Sequence, residues 1–213
     1  LEPSGQFGSR AQGGKDAASA RYIFTRLTPL ARAFFPARDD PVLTLLEDDG
    51  KTVEPDTLVP IVPTALVWGA DGIATGWSTQ VPCFHPKDVI AHTRDLLRDN
   101  ETPANISPWW RGFQGNVAAE EGAVAVQGKA SVEGNVLTVT ELPIRTWTQK
   151  YKAELERTLV DKKLATAVTE MHTEHTVHFR VKLTVTGVTK LGGLGTTALY
   201  KELKLETRVS MRN

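Results

Sequence analysis

The chain has 213 residues, of which 40% are hydrophobic and 23% charged, and its formal net charge at pH 7 is zero. This size and composition are typical of one large or two small globular domains that fold without disulfides. No stretch approaches the roughly 18 uninterrupted apolar residues of a membrane helix, so no membrane-spanning segment is predicted. The single cysteine, Cys83, indicates a reducing compartment such as the cytosol or nucleus. Because the sequence starts at Leu1 rather than Met, we expect a piece of a longer protein.

The zero net charge hides an uneven distribution along the chain. Residues 1–38 carry six Lys or Arg against two acids, a net of +4. Residues 39–101 have a net charge of −8, and residues 102–213 again have +4. A local basic excess favours a polyanionic partner, although an ordinary solvated surface also reaches +4.

The first half of the chain is predicted to contain short elements separated by turns. Residues 1–19 are rich in Gly, Ser and Ala, which predicts a loop whose backbone can approach another molecule closely. The elements predicted after it are an extended segment at 21–27, a short helix capped by Thr28 and Pro29 and ended by Pro36, a hairpin around the Asp48–Gly50 turn, a proline-broken apolar run at 58–68, a glycine-flanked loop at 69–78 and a helix over 86–99.

The second half is predicted to be a separate lobe. The chain turns polar near 103–108, where we expect the boundary between lobes. Residues 122–142 alternate like strands around Gly128 and a turn at 133–135, and residues 177–185 alternate strongly as a further strand. Residues 146–160 are typical of a helix. Together these patterns predict a mixed fold, α/β or α+β.

Two familiar site patterns fail on closer inspection. The segment from Gly8 to Lys15 is similar to a nucleotide-binding GxxxxGK loop, but its spacing is wrong by one residue. Asp16 also stands where a hydroxyl should bind magnesium, and its carboxylate would repel phosphate. His172, His175 and His178 share one face neither on a helix nor on a strand, so no metal ligands are predicted. The loop keeps N–H groups and cations that suit a phosphate backbone.

The dipeptide Arg21–Tyr22 is a candidate catalytic pair. A phenol has an unperturbed pKa near ~10 and becomes a useful nucleophile only where its anion is stabilised. An adjacent guanidinium stabilises that anion and also binds the non-bridging oxygens of a phosphate. The same dipeptide fits a half-buried strand tyrosine beside a solvated arginine, and the residues alone leave both interpretations open.

Long blocks of the sequence resemble one known family. The blocks are PSGQFGSRAQGGKDAASARYIFTRL (3–27), PLARAFFP (29–36), LVPIVPTALVWGADGIATGWST (58–79) and ELPIRTWTQKYK (141–152), with looser similarity over 176–184 and 199–213. In this order they resemble the breakage–reunion core of eukaryotic-type DNA topoisomerase II, a type IIA enzyme. Residues 101–135 and 160–175 are the least similar, and no role is assigned to them.

The resemblance implies a domain organisation and an activity. Residues 1–65 would be the end of a winged-helix domain that carries the active-site tyrosine, and residues 66–213 an α/β tower domain. The enzyme would use ATP and would cleave and religate duplex DNA so that another duplex can pass, which relaxes and decatenates DNA. Tyr22 would be the catalytic nucleophile that forms a 5′-phosphotyrosyl link, and Arg21 would assist at the transition state.

The resemblance also implies a set of DNA contacts. Ile73 would be a wedge between base pairs, and Ala74 stands where the family usually has Gly, which leaves the loop slightly less freedom. Contacts to the DNA backbone give affinity and salt dependence but little sequence specificity. The residues expected to make them are Gln6, Ser9, Arg10 and Lys15 from the N-terminal loop, and Arg145, Trp147 and Lys150 from the tower side; each also fits an ordinary solvated side chain.

Cofactors and partners follow from the same resemblance. Mg²⁺ and ATP are expected, both bound by parts of the enzyme outside this chain, so the 213-residue piece alone should be inactive. The expected partners are double-stranded DNA, a second copy in a homodimer and the remaining domains of the enzyme, with no membrane. The expected location is the nucleus, with an organellar or viral homologue as the alternative. Two other functions remain open, a non-catalytic DNA-bending or scaffold module and an α/β domain whose basic loop binds another anion.

Overall fold

The computed structural model describes residues 1–98 and 105–211 and divides into two compact units. The first unit comprises Leu1–Gly5 and Ala20–Ser107, and the second comprises Gln6–Ser19 and Pro108–Asn213. The change from the first unit to the second after Ser107 confirms the predicted boundary near 103–108. The assignment of residues 1–65 to a winged-helix domain and of 66–213 to a tower domain stays a prediction.

Short helices and two-stranded antiparallel ribbons make up the first unit. The elements are β1 (Glu2–Ser4), a 3₁₀ turn (Ala20–Tyr22), β2 (Phe24–Arg26), α1 (Ala31–Phe34), a second 3₁₀ turn (Asp40–Val42), β3 (Leu45–Asp48), β4 (Lys51–Pro55), α2 (Thr64–Trp68), β5 (Ala70–Ala74), β6 (Trp77–Val81) and α3 (Pro86–Leu97). The ribbons pair β1 with β2, β3 with β4, and β5 with β6.

Local turn chemistry was a good guide in part of this unit. The hairpin around Asp48–Gly50 is confirmed, with Asp49 and Gly50 at φ of 48° and 72° in the turn. The loop predicted over residues 1–19 is wrong at Glu2–Ser4, which pairs with β2. The glycine-flanked loop predicted at 69–78 is instead largely the β5–β6 ribbon, because Ala70–Ala74 and Trp77–Val81 pair across the Thr75–Gly76 turn.

The two predicted helices of this unit also differ in detail from the structure. The N-cap of α1 is Leu30 and makes no side-chain capping bond, so the cap predicted at Thr28 is wrong. Instead, the Thr28 carbonyl accepts a hydrogen bond from the Ala31 N–H at 2.9 Å. Helix α3 starts at Pro86 as predicted, and its N-cap His85 accepts a side-chain bond from the Lys87 N–H at 3.2 Å. The prediction for residue 99 lies outside the described residues.

The second unit contains two antiparallel sheets. The elements are β7 (Asn116–Glu120), β8 (Ala123–Gln127), β9 (Lys129–Glu133), β10 (Val136–Glu141), α4 (Thr148–Leu155) continued by a π-helical turn (Glu156–Val160), β11 (Ala165–Glu170), β12 (Phe179–Leu183), α5 (Val185–Gly192), α6 (Thr196–Glu202) and β13 (Glu206–Ser210). One sheet has the strand order β11-β12-β10-β9 and the other has the order β13-β8-β7. The strands predicted in 122–142 and 177–185 and the helix predicted over 146–160 are confirmed.

A continuous apolar core fills the second unit between its four-stranded sheet and its helices. The alternating pattern of β10 and β12 buries Leu137, Val139 and Phe179 on one face. Tyr151 of α4 packs against Phe179 with ring centroids 5.7 Å apart. Burial of apolar side chains on this scale is the main source of folding free energy, so this unit has its own stabilising core. The chain therefore has the predicted mixed α/β class, and the structure builds it with several small antiparallel sheets.

Strand β10 brings one polar side chain, Glu141, to the edge of this core. The close approach of Gly128 fixes the end of the strand, because a Cβ there would lie 2.4 Å from the Glu141 carbonyl oxygen. The Gly128 N–H donates to the Leu205 carbonyl at 2.9 Å, which ties the same region to the segment before β13. Among residues 1–98 and 105–211, no helix has both the length and the apolar character needed to cross a bilayer.

Candidate functional site

Tyr22 lies at the end of the 3₁₀ turn Ala20–Tyr22, and its side chain is open to solvent. The residue is 64% exposed. The guanidinium carbon of Arg21 lies 4.9 Å from the centroid of the Tyr22 ring, which is cation–π distance. The turn therefore presents a phenol and a permanent positive charge side by side on an accessible surface.

The other two tyrosines of the chain have different surroundings. Tyr151 is buried, and its hydroxyl donates to the Leu203 carbonyl oxygen at 3.0 Å. Burial raises the pKa of Tyr151, because a phenolate would be poorly solvated there. Tyr200 is also buried in the core of the second unit. Of the three tyrosines, Tyr22 is the one whose side chain is exposed to solvent.

Ile73 lies near the tip of the β5–β6 ribbon and is 91% exposed. Its cross-strand partner is Ser78, whereas Trp77 is opposite Ala74. Because neighbouring positions on a strand point to opposite faces, Ile73 and Trp77 project from opposite faces of the ribbon. Trp77 is 79% exposed and was missed by the sequence analysis, although an aromatic residue directly after the turn glycine Gly76 was a usable signal.

Residues 6–19, here called the N-terminal loop, belong to the second unit and are closed by their own hydrogen bonds. The Ala18 N–H donates to the Gln6 carbonyl at 2.9 Å, and the Gly14 N–H donates to the Ser9 carbonyl at 3.1 Å. The Ser9 N–H donates to Asp16 Oδ1 at 2.9 Å. Hydrogen bonding from the side chain and backbone of Ser9 lowers the pKa of Asp16, so this carboxylate is an acceptor inside the loop.

Three contacts dock the N-terminal loop on the rest of the second unit. The Arg10 Nη2 donates to Glu141 Oε1, and the Gln149 N–H donates to the Ala11 carbonyl at 3.1 Å. The Trp147 indole lies against Gly13, where a Cβ would be 2.6 Å from the ring. Gly13 has φ of 64°, so glycine suits both the backbone conformation and the close approach.

Two of the predicted DNA contacts also have a structural role within the second unit. Arg10 and Trp147 both take part in docking the loop, while Gln6 and Lys15 are exposed and Ser9 is half-buried. The sequence analysis missed Glu141, for which a carboxylate ending an otherwise apolar alternating strand was the available signal.

The predicted contacts Arg145 and Lys150 line a cavity of about 510 Å³ in the second unit. Lys201 and Lys204 line the same cavity, which is here called the basic cavity. Neither lysine was identified from the sequence. Lys201 lies in the last turn of α6, and Lys204 follows the end of that helix by two residues. Arg145 has φ of 69° and Lys204 has φ of 53°, so two of the four cations stand on left-handed backbone.

Carboxylates temper the positive charge of the basic cavity. Glu154 lines it, and Lys204 Nζ lies 2.5 Å from Glu154 Oε1. Hydrogen bonds from Arg157 and Lys204 lower the pKa of Glu154 to about 2, so the carboxylate is ionised at neutral pH. Glu206 is the second acid among the lining residues. The cavity therefore has more cations than acids among its lining residues, and Lys204 is paired with Glu154.

The described part of the chain offers no metal site. No group of three or more His, Cys, Asp or Glu residues within it is arranged to hold a metal ion. His172 lies 3.4 Å from Glu170 and stacks near Phe179 at 5.4 Å between centroids, which accounts for its position in the fold. These residues do not fit the Mg²⁺ that the resemblance implies, and no chemical step is assigned to a metal held by them.

Comparisons with known proteins give the family. The family model for the A-type subunit of DNA gyrase and topoisomerase IV matches residues 1–213. "DNA topoisomerase 2, mitochondrial" from Dictyostelium discoideum is 40% identical over 210 residues, which cover 99% of this chain and 16% of that protein. "DNA topoisomerase 2" from Bombyx mori is 41% identical over 216 residues, covering 99% of this chain and 14% of that protein. "DNA topoisomerase 2-alpha" from Rattus norvegicus is 40% identical over 217 residues, covering 99% of this chain and 14% of that protein.

A solved structure agrees with the sequence matches. The crystal structure of the Plasmodium falciparum topoisomerase II DNA-binding, cleavage and re-ligation domain superposes with a TM-score of 0.86 at 35% identity. The match covers 98% of this chain and 29% of that one. The chain thus spans only 14–16% of the length of the relatives named above. With a family model matching its full length, the chain belongs to the DNA gyrase/topoisomerase IV family of A-type subunits, and the resemblance to topoisomerase II is confirmed.

Proposed function

We propose that this chain is part of the breakage–reunion core of an ATP-dependent type IIA DNA topoisomerase, with Tyr22 as the nucleophile. The observation that carries the proposal is the exposed Tyr22 phenol beside the Arg21 guanidinium. Family membership supports the reaction class, and the superposed Plasmodium domain is named for DNA binding, cleavage and re-ligation. The enzyme would relax and decatenate DNA by passing one duplex through a transient break in another.

The chemistry is an exchange of one phosphate ester for another. Tyr22 Oη attacks a backbone phosphorus as its proton leaves, the bond from phosphorus to the 3′-oxygen breaks, and that oxygen takes up a proton. The products are a 5′-phosphotyrosyl ester and a free 3′-hydroxyl. Arg21 would stabilise the negative charge that builds up on the phenol oxygen and on the phosphate. Religation is the reverse attack by the 3′-hydroxyl, and it needs no ATP because the ester retains the bond energy.

The DNA backbone would be bound by the second unit. Gln6, Ser9 and Lys15 present polar groups on the N-terminal loop, and Arg145 and Lys150 do so at the basic cavity. Arg10 and Trp147 would contact DNA from within the docked part of the loop. Such contacts would make affinity strongly dependent on salt and nearly independent of sequence.

Ile73 would bend the DNA. An apolar side chain exposed at a ribbon tip suits insertion between base pairs, which costs a few kcal/mol of unstacking per step. The cost would be offset by the contacts that a bent duplex makes. Trp77, on the other face of the same ribbon, would contact the sugars or bases beside the kink.

Other parts of the enzyme would supply what this chain lacks. Mg²⁺ would offset the negative charge of the scissile phosphate, and hydrolysis of ATP would drive duplex passage. Both Mg²⁺ and ATP would be bound outside these 213 residues. A homodimer would cut both strands, one per protomer, and the remaining domains would complete the core. We place the enzyme in the nucleus, while one relative is named as mitochondrial. The isolated piece should not cleave DNA.

Covalent capture of DNA tests the proposal. The full-length parent protein is incubated with end-labelled duplex DNA and Mg²⁺, quenched with denaturant, and the labelled DNA that stays with protein is counted. Tyr22→Phe should abolish capture and leave DNA affinity within about twofold, because the lost hydroxyl makes the bond but little of the binding. Tyr200→Phe, which removes the hydroxyl of a tyrosine buried in the core of the second unit, is the control and should capture DNA normally.

Two outcomes would contradict the proposal. If Tyr22→Phe captured DNA as well as the natural protein, another residue would be the nucleophile. If the natural protein bound DNA tightly and captured none, the chain would be a non-catalytic DNA-bending or scaffold module. The scaffold function is the second candidate, and the exposure of Tyr22 and Arg21 argues against it.

A further inference from the structure

Glu141 is a buried carboxylate whose hydrogen-bond partners come from three parts of the second unit. Its side chain is 3% exposed. Oε1 accepts from the Arg10 guanidinium and from the Leu142 N–H at 2.9 Å, and Oε2 accepts from the Gln114 N–H at 3.1 Å. Burying a carboxylate is costly unless it is paired and hydrogen-bonded, and Glu141 has both kinds of partner.

The contact with Arg10 is one of a row of loop contacts. Arg10, Ala11 and Gly13 lie against Glu141, Gln149 and Trp147 respectively. By contrast, the bonds from Ala18 to Gln6 and from Gly14 to Ser9 close the loop on itself. The internal bonds set the shape of the loop, whereas the row of contacts sets its place on β10 and α4.

The same row lies beside predicted DNA contacts of the second unit. Trp147 is the N-cap of α4, two residues after Arg145 and three before Lys150. Lys15 follows Gly13 by two residues in the loop. The contact between Arg10 and Glu141 therefore lies close in the chain to cations of the loop and of α4.

We propose that Glu141 is a positioning residue, which docks the N-terminal loop through Arg10 so that the loop and α4 present their DNA-binding groups in one fixed arrangement. This inference rests on the proposed DNA-binding function. A loop ordered before DNA arrives avoids the cost of ordering it during binding. Removing Glu141 should therefore weaken DNA binding without removing any phosphate contact.

The test is Glu141→Gln in the full-length parent protein, measured with duplex DNA over a range of salt concentrations. The dissociation constant should rise about five- to tenfold, because the free-energy cost of ordering the loop then opposes DNA binding. The slope of log affinity against log salt should stay unchanged, since every contacting cation remains. The cleavage rate at saturating DNA should stay within about twofold, because Tyr22 and Arg21 are untouched.

Hydrogen exchange of the DNA-free parent gives an independent readout. In Glu141→Gln, peptides covering residues 6–19 should exchange faster, while peptides covering β10 and β12 keep their protection. The matched control is Glu170→Gln, which breaks the ion pair of Glu170 with Lys152 in the same unit without touching the loop. It should change neither loop exchange nor DNA affinity.

A second variant covers a folding failure of Glu141→Gln. Gly13→Ala leaves every charge in place but puts a Cβ 2.6 Å from the Trp147 ring, so it should undock the loop from the opposite side. The inference is overturned if a folded Glu141→Gln or Gly13→Ala protein binds DNA with natural affinity, or if its salt slope falls. If the unmodified parent captured no DNA covalently, the proposed function would be overturned instead.

Discussion

The two units of this molecule differ in how they are stabilised and in what they carry. Among the described residues of the first unit, the buried aliphatic and aromatic side chains are Val62, Phe84 and Val89. The main core of the second unit has 17 buried residues. Two-stranded ribbons are marginally stable alone, whereas sheets of three or four strands packed on helices hold their own shape. Among the described residues, the second unit therefore has the larger stabilising core.

The two units also carry residues with different proposed roles. Tyr22 and Ile73, which would react with DNA and bend it, are exposed on thin elements of the first unit. Lys15, Arg145 and Lys150, which would bind the backbone, belong to the second unit. In the proposed function, the second unit would bind the DNA backbone, while exposed residues of the first unit would carry the reacting and bending groups.

The largest expected effect compares the two cores directly. Phe179→Ala in the second unit should lower the free energy of unfolding by about 3–5 kcal/mol, since Phe179 is fully buried in the main core. Phe84→Ala in the first unit should lower the free energy of unfolding by about 1–2 kcal/mol, because few buried side chains surround Phe84 and they can relax into the space it leaves. Denaturant unfolding of the 213-residue chain measures both. Equal losses would remove the distinction between the units.

Ile73→Ala should give the next largest effect. Without the wedge, the parent protein should bend DNA less and cleave it about ten- to hundredfold more slowly, because the few kcal/mol of unstacking lose their compensation. Fluorescence energy transfer between the ends of a short duplex measures the bend. Leu97→Ala, another exposed apolar residue of the first unit, is the control. Normal bending by Ile73→Ala would contradict the wedge.

Single lysine substitutions should change the salt dependence of binding. Lys15→Ala and Lys150→Ala should each lower the slope of log affinity against log salt by about 0.9, the value for one lost phosphate contact. Lys190→Ala, which removes a lysine paired with Glu202 at 2.7 Å, should leave the slope unchanged. An unchanged slope for Lys15→Ala would remove the N-terminal loop from the DNA interface.

The smallest effect concerns pH. The Glu154 pKa is lowered from 4.5 to about 2, so its pairing stabilises the second unit above pH 4.5 and is lost as pH falls toward 2. Glu154→Gln should therefore remove part of the acid sensitivity of unfolding between those pH values. Thermal unfolding of both proteins across the range measures the difference, and parallel curves would show that the pairing contributes nothing.

Local patterns predicted the parts of the fold that depend on near neighbours. Alternation and turn residues gave the strands between 122 and 142 and the hairpin at Asp48–Gly50, because a strand and its turn are adjacent in sequence. The pairing of Glu2–Ser4 with β2 spans a long loop and has no local signal. The side-chain cap expected at Thr28 is not formed, because the Ala31 N–H donates to the Thr28 carbonyl oxygen instead.

The candidate site was predictable only in part. The Arg21–Tyr22 pair was a candidate from the residues themselves, whereas its catalytic role and the wedge role of Ile73 came from the resemblance. The structure adds the exposure of these side chains. Glu141 lies 131 residues from Arg10, so no spacing rule could connect them. Asp16 was interpreted as an obstacle to phosphate, but it is an internal acceptor of the loop, because the Ser9 N–H lies 2.9 Å from it.

The most direct measurement of the central claim is identification of the residue joined to DNA. The full-length parent is quenched during cleavage of supercoiled DNA, digested with nuclease and protease, and analysed by peptide mass spectrometry. The account predicts a nucleotide adduct on the peptide that contains Tyr22, attached through a 5′-phosphate. An adduct on any other residue, or tight DNA binding with no adduct, would contradict it.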